Sequence, residues 1–160
     1  MCAYPKHLAT FDYVGPHRYF LTFCTHNRKP FFTRGLIVAC VIDEFLRVAV
    51  EERLEILAYC FMPDHVHLLV EGVQDDSDLR RFIFRLKQAT GFTFQQRFKE
   101  RLWQRYGYER VLRGDEATRD IVRYTLNNPI RAKLVEDLSL YPFIGSSRYT
   151  RAELLELCVE

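Results

Sequence analysis

Two histidines one residue apart, His65 and His67, sit inside the apolar run Phe61-Met62-Pro63-Asp64-His65-Val66-His67-Leu68-Leu69-Val70. The Leu/Val content that follows them reads as a buried strand. Successive side chains on a strand point to opposite faces. The two imidazoles therefore share one face, and Val66, Leu68 and Val70 share the other. Two imidazoles on one face can converge on a single cation and leave its other positions open. On residue types alone, two polar residues at the lip of a core strand fit the spacing equally well.

A second constellation lies at Tyr124 and Asn128. Ile121, Tyr124, Thr125 and Asn128 fall at helical spacing and predict one helix face. Pro129 predicts that this helix stops near Asn128. Asn128 offers an amide oxygen, a hard third ligand suited to Mg²⁺ or Mn²⁺ beside the histidines. Open positions on such a metal suit polarisation of a phosphoryl oxygen. Tyr124 is a candidate nucleophile. A phenol of ordinary pKa, ~10, needs a cation or base nearby, which a metal, Arg123 or Arg131 could supply. Taken singly, Tyr124 reads as a packed aromatic and Asn128 as an ordinary residue before proline. Their joint occurrence with His65 and His67 favours the catalytic reading.

The chain has 160 residues, 48% of them hydrophobic, enough for one domain with a core and too few for two. No apolar run is long enough to predict a membrane span. Met1 to Gly15 lacks the basic start and apolar block of a secretory leader, so a cytoplasmic protein is expected. Five scattered cysteines without a Cys-x-x-Cys pair predict reduced thiols. Cys60 with His65 and His67 lies across a turn and lacks a fourth soft ligand nearby, which argues against structural zinc.

The formal net charge of +2 conceals an asymmetry. Arg80 to Lys133 holds fourteen lysines and arginines against five acids, a local +9, and the remainder carries −7. Such a block is an electrostatic footprint for polyanions, or else a set of solvated helix faces. Within it, Arg81, Arg85, Lys87, Arg105, Arg113, Arg123 and Arg131 are candidate phosphate contacts. Trp103 is a candidate platform for unpaired bases, as are Tyr106 and Tyr108, with burial in the core an equal expectation for Trp103.

These residues need elements to position them. The aromatic, β-branched stretch His17 to Thr25 predicts a first strand. Thr33 predicts the cap of a helix from about Arg34 to Glu52, its buried face marked by Val38, Val41, Ile42, Phe45, Val48 and Ala49. Leu54–Phe61 and His65–Glu71 predict an antiparallel hairpin turning at Met62-Pro63-Asp64. Ser77 or Asp78 predicts the cap of a helix reaching about Lys99, with Leu79, Phe82, Ile83, Leu86 and Ala89 buried and Gly91 unfavourable inside it. A fourth strand falls within Arg101–Leu112. Asp115 predicts the cap of the tyrosine helix, and Pro142 to Ser147 reads as a loop before a short acidic helix at Arg151 to Cys158. Strand, helix, strand, strand, helix, strand predicts a ferredoxin-like α+β sandwich with an antiparallel sheet and an added C-terminal helix. The two long helices would cover Val66, Leu68 and Val70. The added helix would cover the histidines.

Met62 to Val70 resembles the HUH motif (His, hydrophobic, His) of single-tyrosine transposases of the IS200/IS605 type. Tyr124-Thr125-Leu126-Asn127-Asn128-Pro129-Ile130-Arg131-Ala132-Lys133-Leu134-Val135 resembles the tyrosine segment of their REP-associated branch, Tyr-Ile-x-x-Asn-Pro-Val-Arg-Ala-Gly-Leu-Val. Tyr19 to Phe23, Leu102-Trp103-Gln104 and Ser146-Ser147 are similar to that branch as well. The departures are Ile130 for Val and Lys133 for Gly, the latter at a turn. The resemblance spans about Arg18 to Ser147.

It implies a metal-dependent endonuclease and strand transferase acting on single-stranded or hairpin DNA. His65, His67 and Asn128 would hold Mg²⁺ or Mn²⁺, and Tyr124 would form a 5′-phosphotyrosine. The IS200 branch includes dimers that share active sites and the REP-associated branch includes monomers, so a homodimer and a monomer both stay open. Two other readings stay open beside it. One is a domesticated module that binds structured DNA without cutting it, and the other is an unrelated metal hydrolase with water as nucleophile.

Overall fold

The computed structural model describes residues 10–113 and 118–159. Strand β1 (Arg18–Cys24) leads into helix α1 (Gly35–Glu51). The hairpin β2 (Leu54–Met62) and β3 (His65–Gly72) follows, then α2 (Leu79–Phe98) and β4 (Tyr108–Leu112). The four strands lie in the order β4-β1-β3-β2, and every neighbouring pair is antiparallel. This is the split βαβ arrangement that the order of elements predicts. Helix α3 (Thr118–Leu126), the short α4 (Asn128–Arg131), strand β5 (Ile144–Gly145) and helix α5 (Arg151–Val159) complete the chain.

The sheet is buried on both faces. On one, Val41, Phe45 and Val48 of α1 and Leu79, Phe82 and Leu86 of α2 pack on Leu21, Val66, Leu68 and Val70. On the other, Val122 and Leu126 of α3 and Leu154 of α5 pack on Phe20, Cys60 and Leu69. Each such apolar side chain removed from water contributes roughly 1.5–3 kcal/mol, so both faces specify the register of β3. A slip of one residue would drive His65 and His67 into the α1/α2 core.

The pairing of β2 with β3 is interrupted by a bulge between Ile56 and Ala58. Leu54 and Ile56 face α1, and so do Tyr59 and Phe61 beyond the bulge. Leu57, Ala58, Cys60 and Met62 face the other way. The extra residue changes which parity of β2 points inward. Cys60 and Met62 thereby stand opposite His67 and His65 across the hairpin.

Several local expectations change. Thr33 does not cap α1. Its Oγ1 donates to the Pro30 carbonyl at 3.0 Å, and Arg34 takes the cap position with no side-chain hydrogen bond. Asp78 caps α2 by accepting from the Arg81 N–H, while Ser77 Oγ donates to the Arg53 carbonyl instead. The segment read as a loop contains β5, which pairs with the outer edge of β2. An unpaired edge would leave backbone groups exposed for stray pairing. Cys40, Cys60 and Cys158 are free thiols. The proposed cap at Asp115 lies outside the described residues. Among the described residues no helix is long and apolar enough to cross a membrane.

Helix α4 ends in a tight left-handed cap. The Lys133 N–H bonds the Ile130 carbonyl and the Leu134 N–H bonds the Pro129 carbonyl, both at 2.9 Å. Lys133 has φ +58°, where a Cβ is disfavoured and Gly is the usual occupant. Replacing Lys133 by Gly should raise stability by about 1 kcal/mol in chemical denaturation. An unchanged or lower midpoint would show that the lysine side chain itself stabilises the turn.

Candidate active site

His65 and His67 project from β3 away from the α1/α2 core, and their Nε2 atoms lie 3.2 Å apart. Their other nitrogens are both engaged. His65 Nδ1 is 2.7 Å from Asp64 Oδ1, and His67 Nδ1 is 2.8 Å from Thr22 Oγ1 on β1. An ionised carboxylate only accepts, so His65 carries a proton on Nδ1 and turns Nε2 toward His67. Thr22 can accept from His67 Nδ1–H and leave the His67 Nε2 lone pair free.

Asp64 is itself fixed by Arg28, whose Nε donates to Oδ2 at 2.8 Å. Burial opposes ionisation of Asp64, but the hydrogen bond from His65 and the Arg28 charge outweigh it. The carboxyl is held below its ordinary range. Burial pushes the His67 pKa down to about 3, with His65, Arg131 and Arg28 adding to the effect. His67 is thus a neutral imidazole, the form that donates to a metal.

Phe20 connects the histidines to the tyrosine. Its ring stacks on His67 with centroids 5.4 Å apart and meets the Tyr124 ring edge-on at 6.0 Å. Tyr124, on α3, is 49% exposed. The Arg131 guanidinium lies over its ring, 4.1 Å from the centroid, where a cation is attracted to the π face. The neighbouring Thr125 is fully buried, with its Oγ1 donating to the Ile121 carbonyl.

Asn128 does not continue the face of α3. The helix stops at Leu126, and Asn128 opens α4 after Asn127. Pro129 has no N–H to bond the Thr125 carbonyl four residues back. Asn128 Nδ2 donates there instead at 2.8 Å, and to the Tyr124 carbonyl at 3.3 Å. Its Oδ1 accepts from Arg131 at 2.7 Å. Asn128 thus braces the turn that carries Tyr124 and aims Arg131 at the ring.

Two nitrogen donors each ~2.1 Å from one cation, at an angle of ~90–110°, lie ~3.0–3.4 Å apart. The histidine pair fits this, and its Nδ1 partners fit the supporting shell of a metal-binding imidazole. No group of three His, Cys, Asp or Glu side chains that could hold a metal occurs among the described residues.

The model of the family described as transposase IS200-like matches residues 13–128. The chain belongs to this family. A Haemophilus influenzae relative described as a REP-associated tyrosine transposase is 30% identical over 113 residues, covering 62% of this chain. The match spans 63% of that relative's length. The structure of a REP-associated tyrosine transposase bound to a REP hairpin has the same fold. Its TM-score is 0.72 at 20% identity, with 90% of this chain and 82% of the other covered. A transposase-like protein of Deinococcus radiodurans superposes with a TM-score of 0.53 at 24% identity, over 77% of this chain and 96% of the other. On this family's fold, the His65–His67 pair and Tyr124 come together from β3 and α3, although 56 residues of sequence lie between His67 and Tyr124.

The remaining basic candidates of this family member are dispersed. Arg131 stands at the tyrosine, and Arg123 Nε donates to the Leu157 carbonyl of α5. The Arg113 carbonyl accepts from Arg18. Lys87, Arg105 and Trp103 gather elsewhere, at the junction of α2 and β4. The residue types and spacing of Phe20, Thr22 and Asp64 carry no signal of their role at the site. Thr22 lies within Tyr19 to Phe23, but only the strand register shows that it meets His67, whereas Asp64 bonds the ring of its chain neighbour His65.

Arg81 and Arg85 turn back onto α1, where both bond Glu52 and Arg85 also bonds Glu51. Burial opposes the Glu52 charge, but the two guanidinium hydrogen bonds prevail and hold its pKa below the ordinary 4.5. Its stabilising contribution is therefore complete above pH 4.5 and is lost as pH falls through the lower folded-state value. Glu52→Gln should destabilise the protein by about 1–2 kcal/mol at neutral pH. The gap to wild type should narrow in denaturation curves below pH 4.5, whereas a gap constant down to pH 3 would contradict the pairing.

Proposed function

We propose that the protein is a metal-dependent single-stranded DNA endonuclease and strand transferase that acts on hairpin-forming DNA through Tyr124. The observation that carries this reading is the convergence of His65 and His67 Nε2 atoms at 3.2 Å on the face that Tyr124 reaches through Phe20. Family membership, the relative described as a tyrosine transposase, and the fold shared with a hairpin-bound transposase support it. The basic stretch from Arg80 to Lys133 suits a phosphate backbone.

His65 and His67 would hold Mg²⁺ or Mn²⁺. Asn128 Oδ1 has a second lone pair beyond the one that accepts from Arg131, and it is the candidate third donor. The metal would supply Lewis-acid polarisation of the scissile phosphate. Tyr124 Oη gives up its proton and bonds to phosphorus. The bond from phosphorus to the 3′ oxygen breaks, and that oxygen leaves as a 3′-OH with a proton. One phosphodiester is exchanged for another, so a second 3′-OH can reverse the reaction without ATP. Arg131, stacked on the ring, stabilises negative charge as the phenol ionises. Such a protein would work in the cytoplasm, as a monomer or a homodimer.

Oligonucleotides from both strands flanking the gene, incubated with Mg²⁺ or Mn²⁺, test this directly on denaturing gels. Wild type should give a covalent protein–DNA adduct that chelation removes, and Tyr124→Phe should give none. Binding without an adduct would favour a non-cleaving DNA-binding module. Free cleavage by Tyr124→Phe would identify water as the nucleophile.

The metal reading has its own test. Thr22→Val and Asp64→Ala each remove one imidazole's Nδ1 partner and should weaken Mn²⁺ binding by about 10–100-fold in calorimetry. Equal affinity in both variants would contradict the assigned donors.

A further inference from the structure

Tyr124 is half-exposed, and among the described residues its hydroxyl has no hydrogen-bond partner. An exposed side chain without a polar anchor exchanges rotamers within nanoseconds. Two ring contacts restrain this one instead. The Arg131 guanidinium of α4 lies over the ring, 4.1 Å from its centroid. The Phe20 ring of β1 meets it with centroids 6.0 Å apart and planes at 71°. Three elements therefore fix the phenol, since its own backbone belongs to α3.

Phe20 is the firmer of the two partners. Arg131 is exposed, whereas Phe20 is 8% exposed and lies between Leu69 of β3 and Arg110 of β4 in the sheet. It packs in the same cluster as Val122 and Leu126, which flank Tyr124 on α3. Its ring also stacks on His67, with centroids 5.4 Å apart and planes at 21°. Two residues along β1, Thr22 Oγ1 bonds Nδ1 of the same imidazole at 2.8 Å. Strand β1 thus holds His67 through Thr22 and separates it from the phenol through Phe20.

An aliphatic side chain would not do this. Edge-to-face pairing of two rings sets an angle as well as a distance. Leu in place of Phe20 would keep apolar burial and the Thr22–His67 bond, but would lose both ring contacts. Placement matters because a shift of ~1 Å at a reacting atom can cost about 100-fold in rate.

We propose that Phe20 is a positioning residue for strand cleavage, its ring resting on His67 and holding the Tyr124 phenol at a fixed distance and angle from the imidazole pair. This rests on the reading of Tyr124 as the nucleophile. Phe20 acts through Tyr124, so its loss slows the attack without weakening metal or DNA binding.

The test compares wild type with Phe20→Leu at saturating oligonucleotide and Mn²⁺. The leucine variant should form the covalent adduct about 10–100-fold more slowly in a single turnover. The oligonucleotide concentration for half-maximal rate and the Mn²⁺ affinity in calorimetry should each stay within about twofold. Phe20→Tyr restores a ring and should recover most of the rate. Melting temperatures confirm folding, and Phe20→Met replaces the leucine variant if that one is unstable. A second readout needs no activity: 3-fluorotyrosine placed at 124, followed by ¹⁹F relaxation without DNA or metal. Ring motion should be faster in Phe20→Leu than in wild type.

A wild-type adduct rate in folded Phe20→Leu would overturn the proposal, as would unchanged ring motion. So would a rate in Phe20→Tyr as low as in Phe20→Leu, or a loss of Mn²⁺ or oligonucleotide affinity large enough to explain the slower rate. If wild type forms no adduct, the nucleophile reading fails and this role fails with it. Ring motion then still shows whether Phe20 holds the phenol.

Discussion

The two-residue period of β3 is the constraint on which the rest depends. It sends Val66, Leu68 and Val70 into the core under α1 and α2, and His65 and His67 to the opposite face. A histidine pair facing an apolar core would have no partners and a large desolvation penalty. Facing β1 and the end of the hairpin, each imidazole finds one hydrogen bond through Nδ1. The strand is thus held in register by apolar burial on the side away from the chemistry. The histidine face is free to keep lone pairs unused.

The tyrosine is positioned by a different kind of constraint, a helix interrupted on purpose. Pro129 removes a backbone donor, and Asn128 supplies a side-chain donor in its place. The same amide then holds Arg131, whose charge lies over the Tyr124 ring. Asn128, Pro129 and Arg131 therefore act together on one residue, and Val122 and Leu126 anchor the helix that bears it. The positive φ at Lys133 is the strained end of this turn.

The basic stretch is less uniform than its charge suggests. Arg81 and Arg85 neutralise Glu51 and Glu52 at the end of α1. Arg131 serves the tyrosine, and Lys87, Arg101 and Arg105 surround a cavity. A net charge counted along sequence mixes these groups, because helix periodicity distributes consecutive arginines around the axis.

The sequence by itself determined the order of elements, the antiparallel hairpin, the shared face of His65 and His67, and the break before Pro129. Each follows from local rules: strand alternation, helix spacing and the geometry of proline. It also carried the family, through two long motifs in order. Tertiary structure alone decided that Thr22 holds the His67 imidazole and that Phe20 lies between His67 and Tyr124. It also decided that a bulge near Leu57 brings Cys60 and Met62 beside the histidines and that β5 joins the sheet. These depend on which strands become neighbours and in what register. Contacts between distant segments leave no periodic trace in the sequence of either segment.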